Sequence, residues 1–144
     1  MNLFLDIDGV LHPEPACSKT AFCQRNILIQ LLDARPQLSV VISSDWRLTH
    51  SLNEIAGMIL VERLDLRQRF VGITPYLEAC QHEYRGRERE CLSWLDAAGL
   101  GDARWLAVDD VAGNFTYGSR QVFLTDYRTG LTQNDLGKLL ELTT

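Results

Sequence analysis

The sequence runs to 144 residues, 46% of them hydrophobic and 23% charged. That composition excludes disordered, collagen-like and coiled-coil classes and suits one compact domain spanning residues 1–144. A formal net charge of -5 argues against bulk attraction to nucleic acid or anionic membranes, though not against a local basic groove.

No apolar run reaches the ~18–20 residues of a membrane span. Met1-Asn-Leu-Phe4 lacks the basic start of a signal peptide, so the expected setting is cytoplasmic, with no membrane and no deducible stable protein partner. Cys17, Cys23, Cys80 and Cys91 make no C-x-x-C pair and read as buried or partly buried thiols. His12, His50 and His82 fall at no metal-ligand spacing.

Residues 2–6 form a short apolar run ending in acid, as a buried strand does. Ser18 is placed to cap a helix reaching about Ala34, where Leu28, Leu31 and Leu32 supply a stripe and Pro36 follows. Residues 38–42 are β-branched and read as a second strand before Ser43-Ser44-Asp45. Leu48, Leu52, Ile55 and Ile59 predict one helix over 46–58. Residues 70–73 suit a short strand, and 86–98 a helix with Gly99 as its stop. Residues 105–108 and 121–124 are the last strands, before Asp109-Asp110 and Asp126 respectively. Thr132 to Asp135 starts a capped helix to about Leu142.

Apolar strands alternating with amphipathic helices predict an α/β, Rossmann-like, three-layer fold with a mainly parallel sheet. Ligands in such sheets bind beyond the carboxyl ends of the strands. Asp6, Ser43 and Asp109-Asp110 all follow predicted strands, so they are expected at one sheet edge.

Asp6-Ile-Asp8-Gly9 sets two carboxylates two residues apart before a glycine that permits a sharp turn. Alone it is a weak motif, found also in solvated turns. A second acidic pair at the same edge would repel it unless a cation or protons intervene. Oxygen donors with no Cys or His nearby suit Mg²⁺. Metal, carboxylates, a hydroxyl and an arginine together point to phosphoryl chemistry.

Four segments in order resemble the motifs of the haloacid-dehalogenase (HAD) superfamily of phosphohydrolases. They are Leu3-Phe-Leu-Asp6-Ile-Asp8-Gly-Val, Val40-Val-Ile-Ser43, Arg87 at the start of a helix, and Leu106-Ala-Val-Asp109-Asp110. Ile42-Ser-Ser-Asp-Trp46-Arg47 and the Arg87 to Leu95 segment are most similar to the small HAD domains of bacterial RNA-repair proteins. The phosphatase module of polynucleotide kinase-phosphatases is a more distant likeness.

The resemblance implies a Mg²⁺-dependent phosphomonoester hydrolase. Asp6 would be the nucleophile, forming an aspartyl-phosphate, and Asp8 the acid and base. The metal would be held by Asp6, the Asp8 main-chain carbonyl and Asp110, with Asp109 binding directly or through water. Ser43, or Ser44 in its place, and Arg87, with Arg85 and Arg89 as competitors, would bind phosphate. Asn114 stands where many members carry a further acid.

Residues 9–37 and 74–86 are too few for a folded cap, so an open site is expected. Nucleic-acid ends, nucleotides or other phosphomonoesters are the expected substrates. Arg63, Arg67 and Arg69, with the arginines at 85–89, are candidates for a basic rim at its mouth. Two other classes compete: a noncatalytic HAD-like binding or regulatory domain, and a receiver domain. The paired motif-one aspartates speak against the first, and the order of the acidic segments against the second.

Overall fold

The computed structural model describes residues 1–144. Five strands and four helices alternate: β1 Asn2–Leu5, α1 Arg25–Ala34, β2 Ser39–Ile42, α2 Leu52–Leu60, β3 Phe70–Ile73, α3 Gly86–Ala97, β4 Trp105–Asp109, β5 Val122–Leu124 and α4 Gln133–Leu142. The strands form one sheet in the order β3-β2-β1-β4-β5, and every pairing is parallel. The chain builds outward from β1 on one side, then returns to add β4 and β5 on the other. That reversal opens a crevice at the carboxyl ends of β1 and β4.

Strand alternation divides the apolar residues between two faces. Leu3, Leu5, Val40, Ile42, Leu106 and Val108 pack with α1, α2 and α4 in a cluster of 24 buried residues. Phe4, Val41, Trp105 and Ala107 face Cys91 and Leu95 of α3 in a smaller cluster of 7. Phe4 sits edge-on to Trp94 and Trp105, with ring centroids 5.9 and 5.7 Å away. This is the α/β, parallel, Rossmann-like layout expected from the sequence, with no separate cap domain, and no helix is long and apolar enough to cross a membrane.

Register sets the site. Leu5 lies opposite both Ile42 and Val108, so Asp6, Ser43 and Asp109 come level at the same edge. Asp109 shares the parity of Ala107, which carries it toward α3.

Two predicted helices are shorter than their patterns suggest. The first begins at Arg25 rather than Ser18. Phe22 adopts a left-handed φ of 55°, and its N–H donates to His12 Nδ1 at 3.0 Å instead of continuing a helix. The second is split in two. Asp45–Leu48 is a 3-10 turn capped by Ser44, and α2 restarts behind a Ser51–Glu54 capping box. Leu48 is left 51% exposed and does not join the α2 stripe. Of the four thiols expected to be at least partly buried, Cys80 and Cys91 are, whereas Cys17 and Cys23, in the irregular segment before α1, are exposed.

The basic rim is corrected more sharply. Arg63 pairs with Asp33 and Asp65 at 2.7 and 2.9 Å, and Arg67 donates to Phe70 O and Asn53. Arg69 donates to the carbonyls of Leu32, Arg35 and Leu38. Those carbonyls belong to the end of α1 and the approach to β2, at the edge of the sheet opposite the crevice. A helix C-terminus leaves such groups unpaired, and Arg69 satisfies them. None of the three arginines reaches the mouth.

Candidate active site

A cavity of about 260 Å³ opens at the carboxyl edge, lined by Asp6, Asp8, Ser44, Asp45, Arg87 and Asp110 among others. A larger groove of about 470 Å³ lies beside β3. Leu48, Ile73, Tyr76 and Trp94 line it, and it holds no cluster of acids.

Asp6 follows β1 directly and is buried, with the Ile7 N–H donating to its Oδ1 at 2.8 Å. Burial, then the neighbouring Asp109, push its carboxyl well above the usual range. Arg87, the Ile7 amide and the Ser44 hydroxyl pull it back. Oxygens of Asp6, Asp109 and Asp110 lie within 4.8 Å of one another. Asp109 is fully buried; its Oδ1 accepts from Val111 N at 2.8 Å and Asn114 Nδ2 at 3.3 Å. Asn114 thus adds no charge, but its amide orients the acid five residues before it. Asp110 is pushed up to about 6 by burial first and by Asp109 second.

Three carboxylates this close, with pKa values raised, are only partly compensated by the single charge of Arg87. Their all-oxygen donor set fits a hard divalent cation such as Mg²⁺. Gly9 allows the approach. Its φ is +72°, and a Cβ there would run into the Asp110 carboxylate.

Arg87 extends from the first turn of α3. Its Nη2 donates to Asp45 Oδ1 at 3.1 Å, while Nη1 is buried without a hydrogen-bond partner, 3.8 Å from Glu90 Oε2. Burial disfavours its charge, yet Asp6, Asp45, Asp109 and Glu90 outweigh this and hold it more firmly protonated. Arg87 lines the acidic cavity and presents its positive charge there, while the unpaired Nη1 lies buried toward Glu90. Arg85 is engaged elsewhere, donating to buried Glu88 at 2.6 Å, and Arg89 is exposed on the helix surface. Arg47 is structural: its side chain ties Glu90 at 2.8 Å to the Ser43 and Thr74 carbonyls.

The serines differ. Ser43 is buried and does not line the cavity, whereas Ser44 does. Asp8 lines it as well, but its carboxylate stands apart from the acidic trio and accepts from His12 Nε2 at 2.7 Å. Sequence reasoning passed over this histidine because it was tested only for metal spacing. The signal was its place four residues after Asp8.

One family model, described as the HAD domain in Swiss Army Knife RNA repair proteins, matches residues 2–136. The chain belongs to that family. The match takes in every strand of this HAD domain and nearly all of its cavity-bearing loops. No curated protein and no solved structure matches it.

Proposed function

We propose that this HAD domain is a Mg²⁺-dependent phosphomonoester hydrolase working through an aspartyl-phosphate. The observation that carries the reading is the Asp6–Asp109–Asp110 trio at a cavity that Asp6, Asp110 and Arg87 line together.

Asp6, Asp110 and the Asp8 main-chain carbonyl would hold the ion, with Asp109 alongside. When bound, Mg²⁺ offsets carboxylate and phosphate charge together. An Asp6 oxygen attacks phosphorus as the bond to the leaving oxygen breaks, and Asp8 gives that oxygen its proton. Water then attacks phosphorus, Asp8 takes a proton from it, and the Asp6 carboxylate leaves. The Arg87 guanidinium and the Ser44 hydroxyl hold phosphoryl oxygens, Ser44 taking the position the motif sets at Ser43. Arg87 gains most as charge accumulates in a poorly hydrated site.

For the substrate, the reading extends to the phosphorylated end of a nucleic acid or a nucleotide. A second cavity of about 350 Å³ shares His82, Val111 and Asn114 with the acidic one. Tyr84 and Tyr117 line it with ring centroids 4.8 Å apart, and the Tyr84 hydroxyl is fixed by accepting from Tyr117 N at 3.0 Å. Exposed, fixed aromatic faces beside a phosphate site suit base stacking, worth ~1–3 kcal/mol per base.

The test is hydrolysis of p-nitrophenyl phosphate with and without Mg²⁺, in wild type and Asp6→Asn. Activity that needs the ion and vanishes in the folded variant is expected. No turnover of any phosphomonoester by wild type with Mg²⁺ would favour a noncatalytic binding domain.

A further inference from the structure

The surroundings of Asp8 carry an inference that rests on the phosphatase reading and goes beyond the family motifs. His12 is fully buried. Its Nδ1 accepts from the Phe22 N–H at 3.0 Å, and a ring nitrogen that accepts carries no proton. The ring proton therefore sits on Nε2, which donates to Asp8 Oδ1 at 2.7 Å. Trp46 Nε1 adds a second donor, 3.3 Å from Oδ1 and 3.2 Å from Oδ2.

The rings that supply these donors are locked against each other. Phe22 packs edge-on to both His12 and Trp46, with centroids 5.4 and 5.1 Å away. The Phe22 N–H reaches the imidazole from a residue with a left-handed φ, where the chain turns before α1. Oδ1 thus takes the shortest bond, from a fully buried ring held on its other side by Phe22 N, while Oδ2 has only one longer contact.

We propose that His12 is a positioning residue that occupies Oδ1 and assigns proton transfer to Oδ2 of Asp8. In the first step the Oδ2 proton passes to the leaving oxygen as its bond to phosphorus breaks and the Asp6–phosphorus bond forms. In the second step Oδ2 accepts a proton from the attacking water as the Asp6–phosphorus bond breaks. His12 itself exchanges no proton. A capless site has no closing domain to orient its acid, and the imidazole does that work from within the first loop.

The experiment has two arms. A long-range ¹H–¹⁵N spectrum of the imidazoles in the metal-free protein should show His12 protonated at Nε2 and bare at Nδ1; the opposite tautomer overturns the proposal. Kinetics then compare His12→Leu, which removes the donor, with His12→Gln, whose amide restores one near Nε2; both lose the Phe22 contact. Acid catalysis matters most for poor leaving groups, so His12→Leu should lose at least ~10-fold more kcat/KM, which reports the phosphorylation step alone, on glycerol phosphate than on p-nitrophenyl phosphate, out of the ~10²–10⁴ that such catalysis supplies. His12→Gln should recover most of the difference.

Equal losses on both esters, or no recovery with Gln, mean packing alone and overturn the proposal. Asp8→Asn separates the two levels of argument. If it shows no leaving-group bias, the role given to Asp8 has failed, and the positioning role falls with it. If it shows the bias and His12→Leu does not, only the positioning role fails. Should the leucine variant not fold, the tautomer and the leaving-group bias of His12→Gln decide.

Discussion

Asp110 shows how single charges govern this site. Its pKa is pushed up to about 6, against about 3.9 in an unfolded chain. A carboxyl raised by folding binds its proton more readily in the native state, so it opposes folding above pH ~6 and ceases to do so as pH falls toward ~4. Without metal, the melting temperature should therefore rise as pH is lowered from about 7 to about 5. Mg²⁺ should relieve the same repulsion, so its stabilising effect should be largest near pH 7 and shrink below pH ~6. Asp110→Asn should melt higher than wild type without metal and lose most of the Mg²⁺ gain. Thermal melts across this range check all three, and a metal-independent melting temperature would contradict them. Asp6 and the Asp109-Asp110 pair were legible in the sequence because each ends an apolar run. His12 was not, because its role depends on a turn at Phe22 that no periodicity encodes, and Asn114 was legible as a position but not as the amide that orients Asp109, which depends on the conformation of 110–114.

Among the elements, the sheet was the most legible. All five strands are short apolar runs with a polar stop, and parallel burial demands just that. Helix starts were read less well. Ser18 resembles a cap, but Thr20 turns back on Cys17, its hydroxyl accepting from Cys17 N at 3.0 Å, and Phe22 leaves helical φ. The capping box at Thr132–Asp135 was read and α4 starts there, whereas the one at Ser51–Glu54 lay unread inside the helix expected over 46–58. Thr132→Ala should cost about 1 kcal/mol by leaving the first turn of α4 uncapped. Arg69 matters more. Its guanidinium serves three carbonyls, and Arg69→Ala should cost ~1–3 kcal/mol. Denaturant unfolding measures the loss, and kcat on p-nitrophenyl phosphate should not change, since Arg69 lies at the far edge. A kcat loss without a stability loss would return Arg69 to the site.

For the whole molecule, the distribution of arginines decides how substrate is attracted. Arg63, Arg67 and Arg69 are consumed by the fold, Arg85 by Glu88, and only Arg87 faces the cavity, whose rim also carries Glu14, Asp8 and Asp45. A sequence shows how many arginines a segment has but not which acids and carbonyls already claim them. With no basic track, a long strand gains little from its backbone phosphates, whose contacts would show as a steep salt dependence. An end-phosphorylated oligonucleotide and its mononucleotide should therefore have similar kcat/KM at low salt, with little loss as salt is added. Tyr84→Leu with Tyr117→Ser should raise KM for a terminal nucleotide and leave an abasic phosphate unaffected. An oligonucleotide advantage that salt abolishes would reveal a basic surface elsewhere. The central claim is covalent catalysis by Asp6, and mass spectrometry tests it most directly. Asp8→Asn should still accept phosphate from p-nitrophenyl phosphate, whose leaving group needs no acid, but hydrolyse the adduct slowly. Acid quenching of that reaction should give a peptide containing Asp6 heavier by one phosphoryl group. A phosphoryl group on another residue, or none on Asp6 while p-nitrophenol is released in a burst, would contradict it.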